Sequence, residues 1–343
     1  MWQEFKNKRV LVTGGTGFIG RNLVSRLASA ESDITCLVRG SSNCSHLTRP
    51  NVHLMIGDLR VLSTMPPESL ADFDFVFHLA GATNISQHSD RFHVNVQGAK
   101  NLAELCRRAS GRPVFVHVSS LAAIGPSRFG YPHQDCSTES ARPISEYGRS
   151  KLAAEQILYA YTDEFPISIV RPPVVLGPHD SDGLEFFRSI DRIRIHPTPG
   201  YRKNDLSVIY VDDLVTALLH VALRGERIDA PSTDRGIYFA AADEVVSFFE
   251  FGRLLGRALN KRWFLPLPCP RFTILLTGMF LSMLNRCCNQ KYILNLDKAQ
   301  EVCAGSWSCS NEKLKQQTGW TPAQALDVRL KETVDWYREN QWL

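Results

Sequence analysis

A phenol and an ammonium stand four residues apart in Tyr147-Gly148-Arg149-Ser150-Lys151. On a helix that spacing puts both groups on one face. A free phenol titrates near about 10, and a neighbouring cation favours its ionised form. The pair therefore reads as a proton donor and acceptor suited to near-neutral pH. By itself the spacing is uninformative, since two surface residues of any helix produce it. It gains weight from the apolar run Val114 to Val118, which ends in Ser119-Ser120-Leu121-Ala122-Ala123-Ile124-Gly125. A hydroxyl at the carboxyl end of such a strand faces the crevice where α/β sheets bind ligands. A third constellation opens the chain. The run Arg9 to Thr13 leads into Gly14-Gly15-Thr16-Gly17-Phe18-Ile19-Gly20, with glycines spaced G-x-x-G-x-x-G. A tight turn of this kind lets backbone approach a pyrophosphate, and the helix that follows points its free N–H groups at the phosphates.

These groups need a scaffold, and the hydrophobic pattern supplies one. Arg9 to Thr13, Ile34 to Val38, Val52 to Ile56, Phe75 to Leu79, Val114 to Val118 and Ile167 to Val170 read as buried strands. Gly17 to Ala30, Phe92 to Ala109 and Tyr147 to Glu164 read as helices between them. Apolar strands alternating with helices imply an α/β fold of the Rossmann type, a doubly wound parallel sheet covered on both faces. Beyond Arg171 the pattern changes. Arg171-Pro172-Pro173, Gly177-Pro178 and Pro197, Pro199, Gly200 read as loops. Val208 to Tyr210 and Gly236 to Ala240 read as strands and Asp212 to Leu223 as a helix. After Val246 short helices dominate, broken by Pro266, Pro268, Pro270 and Pro322. The predicted organisation is a nucleotide-binding domain over residues 1–173 and 205–244. A smaller, mostly helical substrate domain takes residues 174–204 and 245–343.

Composition narrows the field. The 343 residues are 44% hydrophobic and 22% charged, an ordinary globular balance that excludes wholesale disorder. A net charge of +4 with scattered Lys and Arg gives no nucleic-acid signature. The nine cysteines include no C-x-x-C pair, which predicts reduced thiols, no metal site and a cytoplasmic setting. The amino terminus lacks the apolar core of a signal peptide. Phe272 to Leu284 is the most apolar stretch but is shorter than the ~20 residues that span a bilayer. The reading is a buried helix of the second domain, with a surface-lying membrane helix as the alternative.

The cofactor can be read from the end of the second strand. An acidic residue there accepts from a free adenosine ribose and repels a 2′-phosphate. This chain instead has Arg39-Gly40-Ser41-Ser42, and an arginine fork pairs with a 2′-phosphate. NADP is thereby favoured over NAD. Asp33 precedes that strand and does not change the reading. After the third strand, Asp58 of Gly57-Asp58-Leu59 is either an acceptor for the adenine amino group or a turn aspartate.

Together these motifs resemble the extended short-chain dehydrogenase/reductase superfamily, also called the NAD-dependent epimerase/dehydratase family. The likeness adds His78-Leu79-Ala80-Gly81, Val94-Asn95-Val96, Arg171-Pro172-Pro173-Val174-Val175-Leu176-Gly177-Pro178 and Val211-Asp212-Asp213, in the family's order. It implies that Tyr147 is the acid/base and that Lys151 binds the nicotinamide ribose and lowers the tyrosine pKa. Ser120, rather than Ser119, falls on the hydroxyl that bonds the substrate carbonyl. Cofactor contacts would come from Gly14, Thr16, Gly17, Phe18, Ile19, Gly20, Arg39, Asp58, Leu59, Leu79, Ala80, Gly81, Pro173 and Val174 as well as Tyr147 and Lys151. Asn95 would support the strand ends. Thr83 and His179 would touch substrate.

Within the superfamily the chemistry forks. Leu121 and Ala122 stand where dehydratases carry an acidic pair, which argues against dehydration. Arg171-Pro172-Pro173-Val174 replaces the R-Y-x-N segment of sugar-nucleotide epimerases and is similar to the dihydroflavonol reductase and 3β-hydroxysteroid dehydrogenase branch. The expected function is NADP(H)-dependent reduction of a ketone or oxidation of a secondary alcohol. The alternative is a nucleotide-sugar epimerase holding NAD tightly, and a non-catalytic dinucleotide sensor is a third reading. Apolar Leu184, Phe186, Phe187 and Ile190 suit either a core or an apolar substrate pocket. Arg188, Arg192, Arg194, Arg202 and Lys203 suit either a solvated face or a phosphate-bearing substrate. The expected partner is a small carbonyl or alcohol compound, and the superfamily's paired-helix homodimer is compatible with the chain.

Overall fold

The computed structural model describes residues 2–64, 73–82, 92–109, 111–134, 137–201, 204–288 and 294–343. Strand β1 (Arg9–Thr13) is buried at four of its five positions and runs into helix α1 (Phe18–Ser29). Strands β2 (Asp33–Val38), β3 (Val52–Ile56) and β4 (Phe75–His78) follow. Next come α2 (Gly98–Arg108), β5 (Val114–Val118), α3 (Glu146–Leu158), β6 (Ile167–Arg171) and β7 (Val174–Leu176). The second half holds α4 (Leu184–Ile193), β8 (Ile195–Pro199), β9 (Asp205–Tyr210), α5 (Val211–Arg224), β10 (Ile237–Phe239) and β11 (Val245–Ser247). It continues with α6 (Phe248–Ala258), β12 (Leu265–Cys269), α7 (Arg271–Cys288), α8 (Leu296–Cys303), α9 (Glu312–Thr318) and α10 (Leu326–Glu339).

Seven strands pair in parallel in the order β10-β6-β5-β4-β1-β2-β3. The winding reverses between β1 and β4, so a crevice opens above their carboxyl ends. One face of the sheet packs on α1 and α5 through Leu23, Leu27, Leu214 and Leu218. The other packs on α2 and α3 through Leu102, Leu105, Cys106 and Leu158. Both faces of the inner strands are dry, which is why these are apolar at successive positions, whereas edge strand β3 leaves His53, Leu54 and Ile56 exposed.

A third core joins Leu176, Phe187, Ile190, Phe251, Leu255, Leu330 and Tyr337 beneath a small sheet ordered β11-β9-β7. Leu184, Phe187 and Ile190 therefore serve this core, and Phe186 packs against it. Here the structure adds one element and corrects two expectations. Pro172-Pro173 and Gly177-Pro178 are loops as expected, and between them Val174–Leu176 forms a short strand, β7, paired in parallel with β9 from Val174↔Val208 to Leu176↔Tyr210. Pro197 and Pro199 belong to a strand, not a loop, since β8 pairs in parallel with β12. Pro266 and Pro268 lie in that same ribbon. Proline is tolerated in strands that lie at a sheet edge, where its missing N–H breaks no ladder. Second, α7 is not buried as expected. Phe272, Leu276, Met279, Phe280 and Met283 are all exposed.

Candidate active site

The glycine turn is built by close backbone approach. Gly14 has φ +74, and a Cβ on it would lie 2.7 Å from the amide nitrogen of Ala80 at the end of β4. A Cβ on Gly20 would sit 2.1 Å from the carbonyl oxygen of Gly14. Both glycines are thus required by packing. Gly17 differs: it is exposed, and a Cβ there would meet only the Gly14 oxygen, at 3.3 Å. No side chain caps the amino end of α1, which begins at Phe18 and Ile19. An open cradle before an uncapped helix start fits a dinucleotide pyrophosphate. Gly17→Ala should accordingly keep its melting temperature but bind NADPH at least about tenfold more weakly, as titration of both proteins would show, because a methyl group would occupy the space of a phosphate contact.

Thr13 ties this turn to β4. Its hydroxyl lies 2.7 Å from His78 Nδ1 and accepts from the Ala80 amide at 3.2 Å. The Leu79 amide donates to the Thr13 carbonyl at 3.2 Å. His78 is buried, and burial beside the Lys151 charge pushes it down to about 3. His117, its neighbour on β5, is likewise held well below the imidazole range by burial. Both rings are therefore neutral and add no charge beneath the crevice.

At the end of β2, Arg39 is exposed and close enough to Asp58 to help stabilise that carboxylate. Asp58 accepts from the Arg60 guanidinium at 2.6 Å and from the Arg60 amide at 2.9 Å, which makes it a turn aspartate held by an arginine. The Arg60 hydrogen bonds keep it below the usual carboxylate range. Leu59 accepts from Asn101 Nδ2 through its carbonyl at 2.7 Å.

Helix α3 carries the expected pair Tyr147 and Lys151. Lys151 is buried, and its Nζ donates to the Val118 carbonyl at the end of β5 at 2.9 Å. A Cβ on Gly81 would come 3.1 Å from that Nζ, so the ammonium also borders the end of β4. Burial pushes Lys151 down to about 8, against the opposing pull of Glu155. Tyr147 lies one turn earlier and is half-buried. Asn95, on a π-helical turn over His93–Gln97, accepts from the Ala82 amide at 2.7 Å and donates to Ser150 Oγ at 2.9 Å. It thus clamps the loop after β4 onto α3. The two serines diverge. Ser119 is buried and donates to Glu155, whereas Ser120 is half-buried and its Oγ accepts from the Ala122 amide at 3.1 Å. The turn after Ser120 is fastened to the segment carrying Pro173 and Val174 by the Leu121 amide, which donates to the Pro172 carbonyl at 2.8 Å. Below the site, the guanidinium of Arg171 grips Glu155 at 2.5 and 3.0 Å, with both side chains fully buried.

One part of this site has no local sequence signal. The first amides of α3, on Glu146 and Tyr147, donate to the two carboxylate oxygens of Asp297 at 2.6 and 3.1 Å. The N-cap Ser145 accepts from the Gly148 amide at 2.9 Å and donates to Glu301 at 2.5 Å. Lys298 pairs with Glu301 at 2.9 Å and feels the charge of Tyr147. Helix α8 therefore supplies the anionic cap that the positive end of α3 favours. Two basic residues near the glycine turn were also missed. His46 Nε2 lies 3.3 Å from the Gly15 carbonyl, and Arg21 sits in the first turn of α1.

Among the expected substrate residues, His179 adopts φ 72 and packs its ring 4.4 Å from that of Trp336 on α10. Burial, then the charges of Arg21 and His46, push it down to about 4, which places it toward the glycine turn. Thr83 lies outside the described residues, as do Arg202 and Lys203. The remaining basic run disperses: Arg188 pairs with Glu185 at 2.9 Å, and Arg194 covers the ring of Trp263. Among the described residues no group of His, Cys, Asp and Glu is arranged to hold a metal ion.

A parallel sheet with a glycine turn and a buried lysine at the carboxyl ends of adjacent strands defines a nicotinamide-dinucleotide-binding α/β protein. Residues 10–233 match the NAD dependent epimerase/dehydratase family, and the chain belongs to it, within the extended short-chain dehydrogenase/reductase superfamily. The family binds NAD(P) and comprises oxidoreductases and epimerases. The chain is 29% identical over 339 residues to a ceramide reductase of Caulobacter vibrioides, covering 97% of this chain and 96% of that protein. It is 27% identical over 345 residues to a putative dihydroflavonol 4-reductase of Synechocystis, covering 97% and 95%. A crystal structure of UDP-glucose 4-epimerase from Thermotoga maritima superposes with a TM-score of 0.74 at 19% identity, covering 97% of this chain and 99% of that one.

Proposed function

We propose that this protein is an NADP(H)-dependent reductase that converts a ketone to a secondary alcohol, or runs the reverse reaction. The observation that carries the reading is the buried Lys151 ammonium at the ends of β4 and β5, one helical turn from Tyr147. When bound, NADPH supplies a hydride. The glycine turn holds its pyrophosphate, Lys151 its nicotinamide ribose, and Arg39 its 2′-phosphate. Ser120 donates a hydrogen bond to the substrate oxygen, and Tyr147 delivers the proton that this oxygen needs as it becomes a hydroxyl. The two similar proteins reported above are both named for reductions, which agrees with this reading.

Purified protein should oxidise NADPH in the presence of a ketone substrate, with NADH a poor substitute. Arg39→Ala should weaken NADPH binding about 10- to 100-fold, the scale of a hydrogen bond to a charged group, and leave NADH nearly unchanged. Equal losses would show that Arg39 does not read the phosphate. Release of stoichiometric NAD from the purified protein by acid would instead point to the epimerase.

A further inference from the structure

We infer that the β12–α7 face is a docking surface for an anionic membrane. Residues 251–296 contain no Asp or Glu but seven basic residues, so this segment carries +7 while the remaining 297 residues sum to −3. The same segment leaves its apolar side chains uncovered. Trp263, Leu265 and Leu267 alternate along the ribbon and are 43–65% exposed. On α7, Phe272, Leu276, Met279, Phe280 and Met283 recur at helical spacing along one face and are 54–65% exposed. Cations sit beside Trp263 at the start of this segment. Arg253, Arg257, Lys261 and Arg262 line one cleft of about 340 Å³ together with Phe249 and Trp263. Lys261 pairs with Asp191 at 2.8 Å. Arg253, Arg257 and Arg262 have no carboxylate within ion-pair distance among the described residues.

An amphipathic helix with aromatic and aliphatic side chains beside basic ones lies in the plane of an interface. Among the described residues no helix is long and apolar enough to cross a membrane, so α7 would lie on the surface and not span it. A second copy of the chain suits this face poorly. A twofold interface sets a patch against itself, and here it would oppose the arginines of one copy to those of the other, with Glu244, Glu250 and Asp327 beside Arg253 and Arg257 as the carboxylates nearby. Anionic headgroups answer both the apolar stripe and the unpaired arginines. The buried side of α7, opposite this face, connects to the active site. Gly278 of α7 lets α8 approach so closely that a Cβ there would lie 2.6 Å from the Ala299 side chain, and α8 caps helix α3.

The test is flotation of the full chain with vesicles of phosphatidylcholine alone and of phosphatidylcholine mixed one-to-one with phosphatidylglycerol. Binding is read without turnover, so it is independent of the reductase assignment. The protein should float with the anionic vesicles only and release in high salt. Replacing Arg253, Arg257 and Arg262 by glutamate together should reduce binding at least about tenfold, and Phe272→Ser with Phe280→Ser should do likewise. Absence of the wild-type protein from both vesicle fractions would overturn the inference, whatever the variants do. So would a wild-type dimer that Phe280→Ser dissociates and that ignores lipid.

Discussion

Tyr147→Phe is expected to lose turnover by about 10²- to 10⁴-fold, the range for removing a positioned acid, while binding NADPH as tightly as the wild type. The phenol of Tyr147 is half-buried one turn from a buried ammonium, and its ring would remain in the variant. Single-turnover kinetics beside a cofactor titration would separate the two effects. Normal turnover in the variant would remove the proposed acid. The same pair predicts a pH response of definite sign. Lys151 is pushed from 10.5 down to about 8, so below that pH it is charged and lowers the cost of ionising Tyr147. In the reductive direction kcat/KM should therefore fall as pH rises through about 8. Its contribution to stability runs the other way. Between about 8 and 10.5 the unfolded chain binds more protons at this lysine than the folded one, so stability from this group rises with pH.

Arg171→Leu should destabilise the protein by about 3–5 kcal/mol, because it strands Glu155 as an unpaired carboxylate in the interior. The guanidinium reaches both oxygens of Glu155, and Ser119 donates to the same group. Exchanging both partners, Glu155→Leu with Arg171→Met, should recover most of that loss, since neither charge then remains to be desolvated. Urea unfolding of the two variants would measure the difference. A single variant that loses less than about 1 kcal/mol would mean that water reaches the pair. The pair lies directly below the serine strand end, so the double variant should regain stability without regaining full activity.

The seven strands of the main sheet were legible because each reads as a short apolar run, the inner ones because they are buried on both sides and the edge strand β3 although His53, Leu54 and Ile56 are exposed. The Tyr147–Lys151 pair and the glycine turn were legible because each is local, its parts separated by one helical turn or one loop. What escaped was of another kind. β8 and β12 are short strands whose prolines mimic loops, β7 is only three residues long between two loops, and the pairing of all three is decided by distant strands. The exposure of α7 escaped because an apolar run gives composition but not which neighbour covers it. The cap from Asp297 escaped because its partners lie 150 and 151 positions away.

That long-range cap has a consequence for biosynthesis. The sheet and both of its helical layers are mostly encoded before residue 240, so they can assemble while the chain is still being translated. The helix bearing the proposed proton donor, however, meets its anionic anchor only when Asp297 and Glu301 have left the ribosome. Chains arrested at successive lengths should gain activity only after that point, although the last strand of the main sheet, Ile237–Phe239, is already encoded well before it.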